Sequence, residues 1–151
     1  MGKGYISVKL QADDAKKISD VLKLANVSAE PIIASKMHVT VMYDVSNPDI
    51  DVLHDKDKVF KAKVLGVERL GEKGSKWEAV ALVLESTDLE KRHNFLKSAG
   101  FKHSYPKFKC HMSLLYKPAE GDFDKIDLIY KLDGFPKELA FDSEKCEKIK
   151  E

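Results

Sequence analysis

The chain has 151 residues, 43% of them apolar and 34% charged, a balance that fits one soluble globular domain able to bury a core without metal or disulfide staples. Lys and Arg number 26 against 25 Asp and Glu; a net charge of +1 argues against a protein that wraps long duplex nucleic acid, and leaves room for a small anionic ligand in a local pocket. No apolar run approaches the length of a membrane span, and MGKGYISVKL lacks the unbroken apolar stretch of a signal peptide, so a cytoplasmic protein without membrane contact is expected.

In chain order, residues 4–10 (GYISVKL) alternate Tyr5, Ser7 and Lys9 with Ile6, Val8 and Leu10, the pattern of a strand with one buried face. From Asp13 to Ala25 the residues Ile18, Val21, Leu22 and Ala25 recur at helical spacing, with Asp13 or Asp14 as N-cap and Asn26 as the stop. The octet KMHVTVMY follows at 36–43, then a polar surface connection over 44–58 carrying Asn47-Pro48. A strand is expected over 59–70 and, after the turn-like GEKGSK, another over 77–85 (WEAVALVLE). Thr87-Asp88-Leu89-Glu90 reads as a capping box opening a helix with Leu89, Leu96 and Ala99 inward, closed by Gly100. A second octet, KCHMSLLY, occupies 109–116; Ile126, Ile129 and Tyr130 fit a short helix over 123–132, and a last strand is expected over 138–149.

The order strand, helix, loop, His-containing strand thus occurs twice, and the two octets agree at Lys, His, Thr or Ser, and Tyr. Strict strand alternation puts Lys36, His38, Thr40 and Met42 on one face and Met37, Val39, Val41 and Tyr43 on the other. By the same count Lys109, His111 and Ser113 oppose Cys110, Met112, Leu114 and Tyr116. The apolar set should pack on the helices. Tyr5, Ser7 and Lys9 would then lie beside His38, and Trp77, Ala79 and Ala81 beside His111. Opposing these faces makes a cleft with a histidine on each wall and aromatic residues at its edge.

A lone strand histidine is more often structural than catalytic. Two histidines placed alike, each with a hydroxyl two residues on, point to general acid–base work instead. Near neutral pH one imidazole can take a proton while the other gives one, which suits phosphodiester cleavage. His38 and His111 are the expected acid and base, Thr40 and Ser113 the donors to non-bridging oxygens, and Lys36 and Lys109 nearby positive charges. His54, His93 and His103 have no counterparts in the repeat and are read as structural. Neither octet offers a carboxylate or thiolate on the histidine face, so no metal is expected. Cys110 and Cys146 have no metal-finger spacing and are expected to be reduced, with Cys110 in the core.

The motifs HVTVMY and HMSLLY, within a duplicated layout covering nearly the whole chain, resemble the 2H phosphoesterase superfamily. That resemblance implies an α+β fold of two pseudo-symmetric lobes, about 1–72 and 73–151 of a single domain, with antiparallel sheets lining a central cleft and helices outside. It also implies cleavage of phosphodiesters without metal or other cofactor. The compact length and Tyr5 in an N-terminal strand look most like phage anti-CBASS enzymes, which implies a cyclic di- or trinucleotide substrate, action in the host cytoplasm, and no obligate protein partner. Tyr5 and Trp77 are then candidates to stack on bases. Two other readings remain: a LigT-like 2′,3′-cyclic phosphodiesterase acting on RNA ends, and a non-catalytic RNA or nucleotide binder.

Overall fold

The computed structural model describes residues 2–149. Six strands form one antiparallel sheet: β1 (Tyr5–Leu10), β2 (His38–Tyr43), β3 (Phe60–Leu70), β4 (Ala79–Glu85), β5 (His111–Tyr116) and β6 (Glu138–Glu147), in the spatial order β2-β1-β6-β3-β4-β5. The repeat implied a sheet for each lobe, whereas the ladder is continuous. It is joined because β6 pairs with β1 on one side and β3 on the other, while β3 pairs with β4. The final strand of each repeat therefore hydrogen-bonds into the other half.

Three helices accompany the sheet: α1 (Ala12–Ala25), α2 (Thr87–Ser98) and α3 (Asp122–Lys131). The expected cap of α1 is displaced. Gln11 takes the N-cap position without a side-chain capping bond, its side-chain amide donating to Asp142 instead, and Asp13 and Asp14 fall in the first turn, where acidic groups favour the helix dipole. The Asp14 carboxylate instead accepts the Ala140 amide at 2.8 Å, tying α1 to β6. In α2 the cap is Ser86, one residue before the Thr87 box, with its hydroxyl accepting from the Leu89 amide. Asn26 ends α1 in the left-handed conformation at φ 54°, as the stop pattern implied.

The core is the apolar side of the alternation: Ile6, Val8 and Leu10 from β1, Val39 and Val41 from β2, Phe60 from β3, Leu82 from β4, Met112 from β5 and Phe141 from β6, all buried with the inward residues Ile18, Leu22, Leu89 and Leu96 of the helices. Each such large side chain contributes on the order of 1.5–3 kcal/mol by leaving water. Phe60 and Phe141 are directly opposed across β3 and β6, so the joint between the halves is itself apolar.

Three buried carboxylates pin the connections. Asp122 accepts the amides of Ser28, Ala29 and Ala119, holding the segment after α1 against α3. Burial would raise its pKa, but these three backbone donors outweigh burial and hold the carboxyl below its ordinary value. Asp44 binds Ser46 and the Lys102 amide in the same way. Glu144 accepts two hydrogen bonds from Arg92 of α2, at 2.9 and 2.7 Å, and faces His54 Nδ1 at 2.7 Å. An irregular register in β6, with Ser143 at φ 53°, accompanies the inward position of Glu144.

The outer strands β2 and β5 do not stand open. The sheet curls until they lie side by side, and each is covered by the loop that precedes the other. Ser104 donates to Tyr43 O at 2.7 Å along β2, while Ile32 donates to Leu114 O at 2.8 Å along β5. These crossed loops satisfy edge groups that would otherwise invite intermolecular pairing. They also hold the two histidine strands against each other.

Candidate active site

His38 opens β2 and His111 opens β5, each half-buried at the same place in its strand. Their local anchoring is the same. His38 Nδ1 lies 2.9 Å from Lys36 O and His111 Nδ1 lies 2.8 Å from Lys109 O. A carbonyl only accepts, so Nδ1 carries the hydrogen in both rings and Nε2 of the neutral imidazole is left with its lone pair toward the cleft. The lysines of the two octets thus act first through their backbone carbonyls. Their side chains are exposed.

Thr40 and Ser113 follow two residues on, with Thr40 opposite Ser7 and Ser113 opposite Ala81. Between the hydroxyl and the tyrosine of each octet the alternation breaks. In β2 the register passes from Thr40 to Met42 against consecutive residues of β1, leaving Val41 as an extra residue; in β5 it passes from Ser113 to Leu115, leaving Leu114. Both are β-bulges, and both members of each apolar pair are buried. Consequently Met42 does not share the histidine face, and Tyr43 and Tyr116 leave the core side that strict alternation assigned them. Tyr43 comes to lie opposite Tyr5 with ring centroids 6.0 Å apart, and Tyr116 lies opposite Ala79 with its ring 6.4 Å from Trp77.

The two walls differ in what they bring to the imidazoles. The Tyr5 hydroxyl is 2.8 Å from His38 Nε2 and 3.1 Å from Thr40 Oγ1. With neutral His38 accepting at Nε2, Tyr5 is the donor, and Thr40 completes the chain by donating to the tyrosine oxygen. Burial pushes the Tyr5 phenol above its ordinary pKa, so it keeps this proton at neutral pH. No residue among those described reaches His111 Nε2 in the same manner. Burial lowers the His111 pKa, the bond to Lys109 O and the Glu68 carboxylate oppose that effect, and the His38 and Lys109 charges add to it. The two histidines are close enough for a charge on one to act on the other.

Glu68, Ala81 and Ser113 form one cross-strand row over β3, β4 and β5, which accounts for the carboxylate near His111. Ala79 and Ala81 are buried floors of the same face. Trp77 precedes β4 rather than opening it and is 66% exposed at the rim. On the opposite wall Tyr105, 59% exposed, lies 5.6 Å from Tyr43, continuing the aromatic line from Tyr5. Tyr43, Tyr105, Tyr116 and Glu68 were not singled out by the sequence pattern. The tyrosine that ends both octets was the available signal, hidden by the bulge.

The unpaired histidines have structural partners. His93 is buried, bonded through Nδ1 to Val41 O at 2.6 Å and stacked on Phe108 at 4.5 Å. His103 accepts the Tyr43 amide, and burial, with His93 and Lys97 adding, lowers its pKa to about 4. Cys110 packs against the core, where burial pushes its thiol up to about 12. Among the described residues no group of three or more His, Cys, Asp or Glu is arranged to hold a metal ion, and no helix is long and apolar enough to cross a membrane.

Two imidazoles anchored alike through Nδ1, each with a hydroxyl two residues on and aromatic rings at the rim, make a site suited to moving protons on either side of an anionic group. Comparison with known proteins shows the family. Residues 3–151 match the family model described as anti-CBASS protein Acb1. The anti-CBASS protein Acb1 of Vibrio phage KVP40 is 32% identical over 117 residues, covering 74% of this chain and 71% of the phage protein. With the site and these matches together, the chain belongs to the anti-CBASS protein Acb1 family.

Proposed function

We propose that this protein is a 2H-type phosphodiesterase that opens cyclic di- or trinucleotide signals of the bacterial CBASS defence, with the whole chain acting as one catalytic unit and no metal required. The observation that carries the reading is the pair of histidines anchored alike through Nδ1 on two strands that lie against each other. Family membership supports the substrate class, since the family's name places it against CBASS.

In this mechanism neutral His111 Nε2 takes the proton of the attacking hydroxyl, either water or a ribose 2′-hydroxyl. The new P–O bond forms as the opposite P–O bond breaks in line, and the leaving oxygen takes a proton from imidazolium His38. Tyr5 and Thr40 beside His38 donate to oxygens of the phosphoryl group as negative charge develops, and Ser113 does so from the other wall. On substrate binding the Tyr5 hydroxyl turns from His38 Nε2 to phosphate, freeing that nitrogen to carry the proton it will give. The depressed His111 pKa suits the base, because a base must be unprotonated at working pH.

The test is incubation of the purified protein in EDTA with a 3′,3′-cyclic dinucleotide and, separately, with an RNA ending in 2′,3′-cyclic phosphate, resolved by ion-exchange chromatography. The His38→Ala/His111→Ala protein is the control. Opening of the cyclic dinucleotide by the parent alone is expected. Turnover of the RNA terminus alone would replace the reading with the LigT-like one, and binding without turnover of either would replace it with a nucleotide binder.

A further inference from the structure

Beside His38 the cleft widens into a cavity of about 590 Å³, within the range of small-ligand sites. Its wall carries Lys9, Lys36, Lys56 and Lys145 against the single carboxylate of Glu147. These lysines come from four places in the fold: β1, the turn before β2, the 44–58 connection and β6. The fold gathers them deliberately. Lys9 is directly opposite His38, Lys145 is opposite Ser7, and Lys56 is fixed at the cavity because its carbonyl accepts the Ser143 amide at 3.1 Å. Lys145 pairs with Glu147 at 2.7 Å, and the remaining ammonium groups exceed the carboxylates on this wall. Because the chain as a whole is almost neutral, such a concentration of one sign produces a strong local field.

The charges acting on His111 from its own wall are those of Glu68 and Lys109, and Trp77 and Tyr116 form the rim there. The proposed chemistry uses one phosphate between the two imidazoles, with Lys36 as a nearby charge, and has no need of the three further cations Lys9, Lys56 and Lys145. A ligand with a second phosphodiester anion does.

We propose that this lysine-lined cavity binds the phosphodiester adjacent to the one being cleaved, and so orients the substrate with its uncleaved phosphate on the His38 side. The inference rests on the phosphodiesterase reading and deepens it. The same chemistry could be presented by the second phosphate of a cyclic dinucleotide or by the next phosphate of a linear RNA.

The test measures equilibrium binding in a His111→Ala background, which prevents turnover, with and without Lys56→Gln/Lys145→Gln. Three probes are titrated: cyclic di-AMP, linear ApApA, and linear ApA with its single phosphodiester. Thermal melting confirms that both proteins are folded. The lysine changes are expected to weaken cyclic di-AMP by about tenfold or more, the scale of lost hydrogen bonds to a charged group, to reduce its salt dependence, and to leave ApA unchanged. Loss on ApApA as well assigns the cavity to any neighbouring phosphate; loss on cyclic di-AMP alone assigns it to the ring. Equal weakening of ApA, unchanged affinity for all three, or a parent that does not bind cyclic di-AMP overturns the inference. Absence of turnover of cyclic di-AMP by the unsubstituted protein, with the lysine effect intact, instead overturns the phosphodiesterase reading and leaves the anion site standing.

Discussion

The His38 and His111 walls follow one eight-place pattern, with Lys, His and Tyr in common and Thr matched by Ser, yet they present different chemistry. His38 has a phenol at its Nε2, a hydroxyl chain through Thr40, and a lysine-lined cavity alongside. His111 has an Nε2 without a described protein partner, a carboxylate in the neighbouring strand row and an indole at the rim. The difference teaches that the octet supplies only the tautomer and the bulge. What each imidazole does is decided by the strand beside it, β1 for His38 and β4 with β3 for His111.

The largest expected effect tests what the walls share. His38→Ala and His111→Ala should each lower turnover of a cyclic dinucleotide by about a hundredfold or more, the scale of a lost general acid or base. Near-parent rates for either variant would remove that histidine from the mechanism. Because the two act on one event, the double variant should be little worse than the worse single one, and additive losses would show that they act in separate steps.

The next tests separate the walls. Trp77→Ala should raise KM by roughly tenfold with kcat nearly unchanged, the size of a lost base–aromatic stack; an unchanged KM would show that the exposed indole is only rim packing. Tyr5→Phe removes the phenol from His38 and Thr40 while keeping the ring. One hydrogen bond of about 0.5–1.5 kcal/mol corresponds to a loss of a few-fold, which should appear in kcat because the hydroxyl is assigned to the developing charge. A loss confined to KM would reassign Tyr5 to ground-state binding.

The smallest effect is a change in pH dependence. Burial, opposed by the Lys109 carbonyl and Glu68, sets the lowered His111 pKa. A base works above its pKa, so the acid limb of kcat/KM should lie below the ordinary histidine value of about 6.5. Glu68→Gln removes a charge that raises this pKa and should move the limb to still lower pH, with the plateau rate retained. Movement toward higher pH, or none, would mean that another group sets the limb.

Much of the site was legible because strand chemistry is local. His38 with Thr40 and His111 with Ser113 share a face at i and i+2, and the apolar partners in each octet announce the buried side. Tyr5 could be placed beside His38 from the alternation of GYISVKL alone. The aromatic rim was misread for an equally local reason, since a single extra residue reverses every later side chain in a strand. Val41-Met42 and Leu114-Leu115 are consecutive apolar residues, which is the trace a bulge leaves when both members stay in the core. Lys9 and Lys36 could be placed beside His38 in the same way as Tyr5, whereas Glu68, Lys56 and Lys145 left no such trace, because their strands and loops meet only across the sheet.

By itself, then, the sequence determined the repeated units, the strand faces up to each bulge, the helices with their spacing of buried residues, and the residue pair around which the chemistry is proposed. These follow from side-chain periodicity and from backbone preferences that act within a few residues. Tertiary structure decided the rest: that β6 and β3 join two halves into one sheet, that crossed loops hold β2 against β5, and that a phenol meets one imidazole while a carboxylate influences the other. Those outcomes depend on pairing between residues far apart in the chain, where register, burial and charge are set by which strand becomes the neighbour.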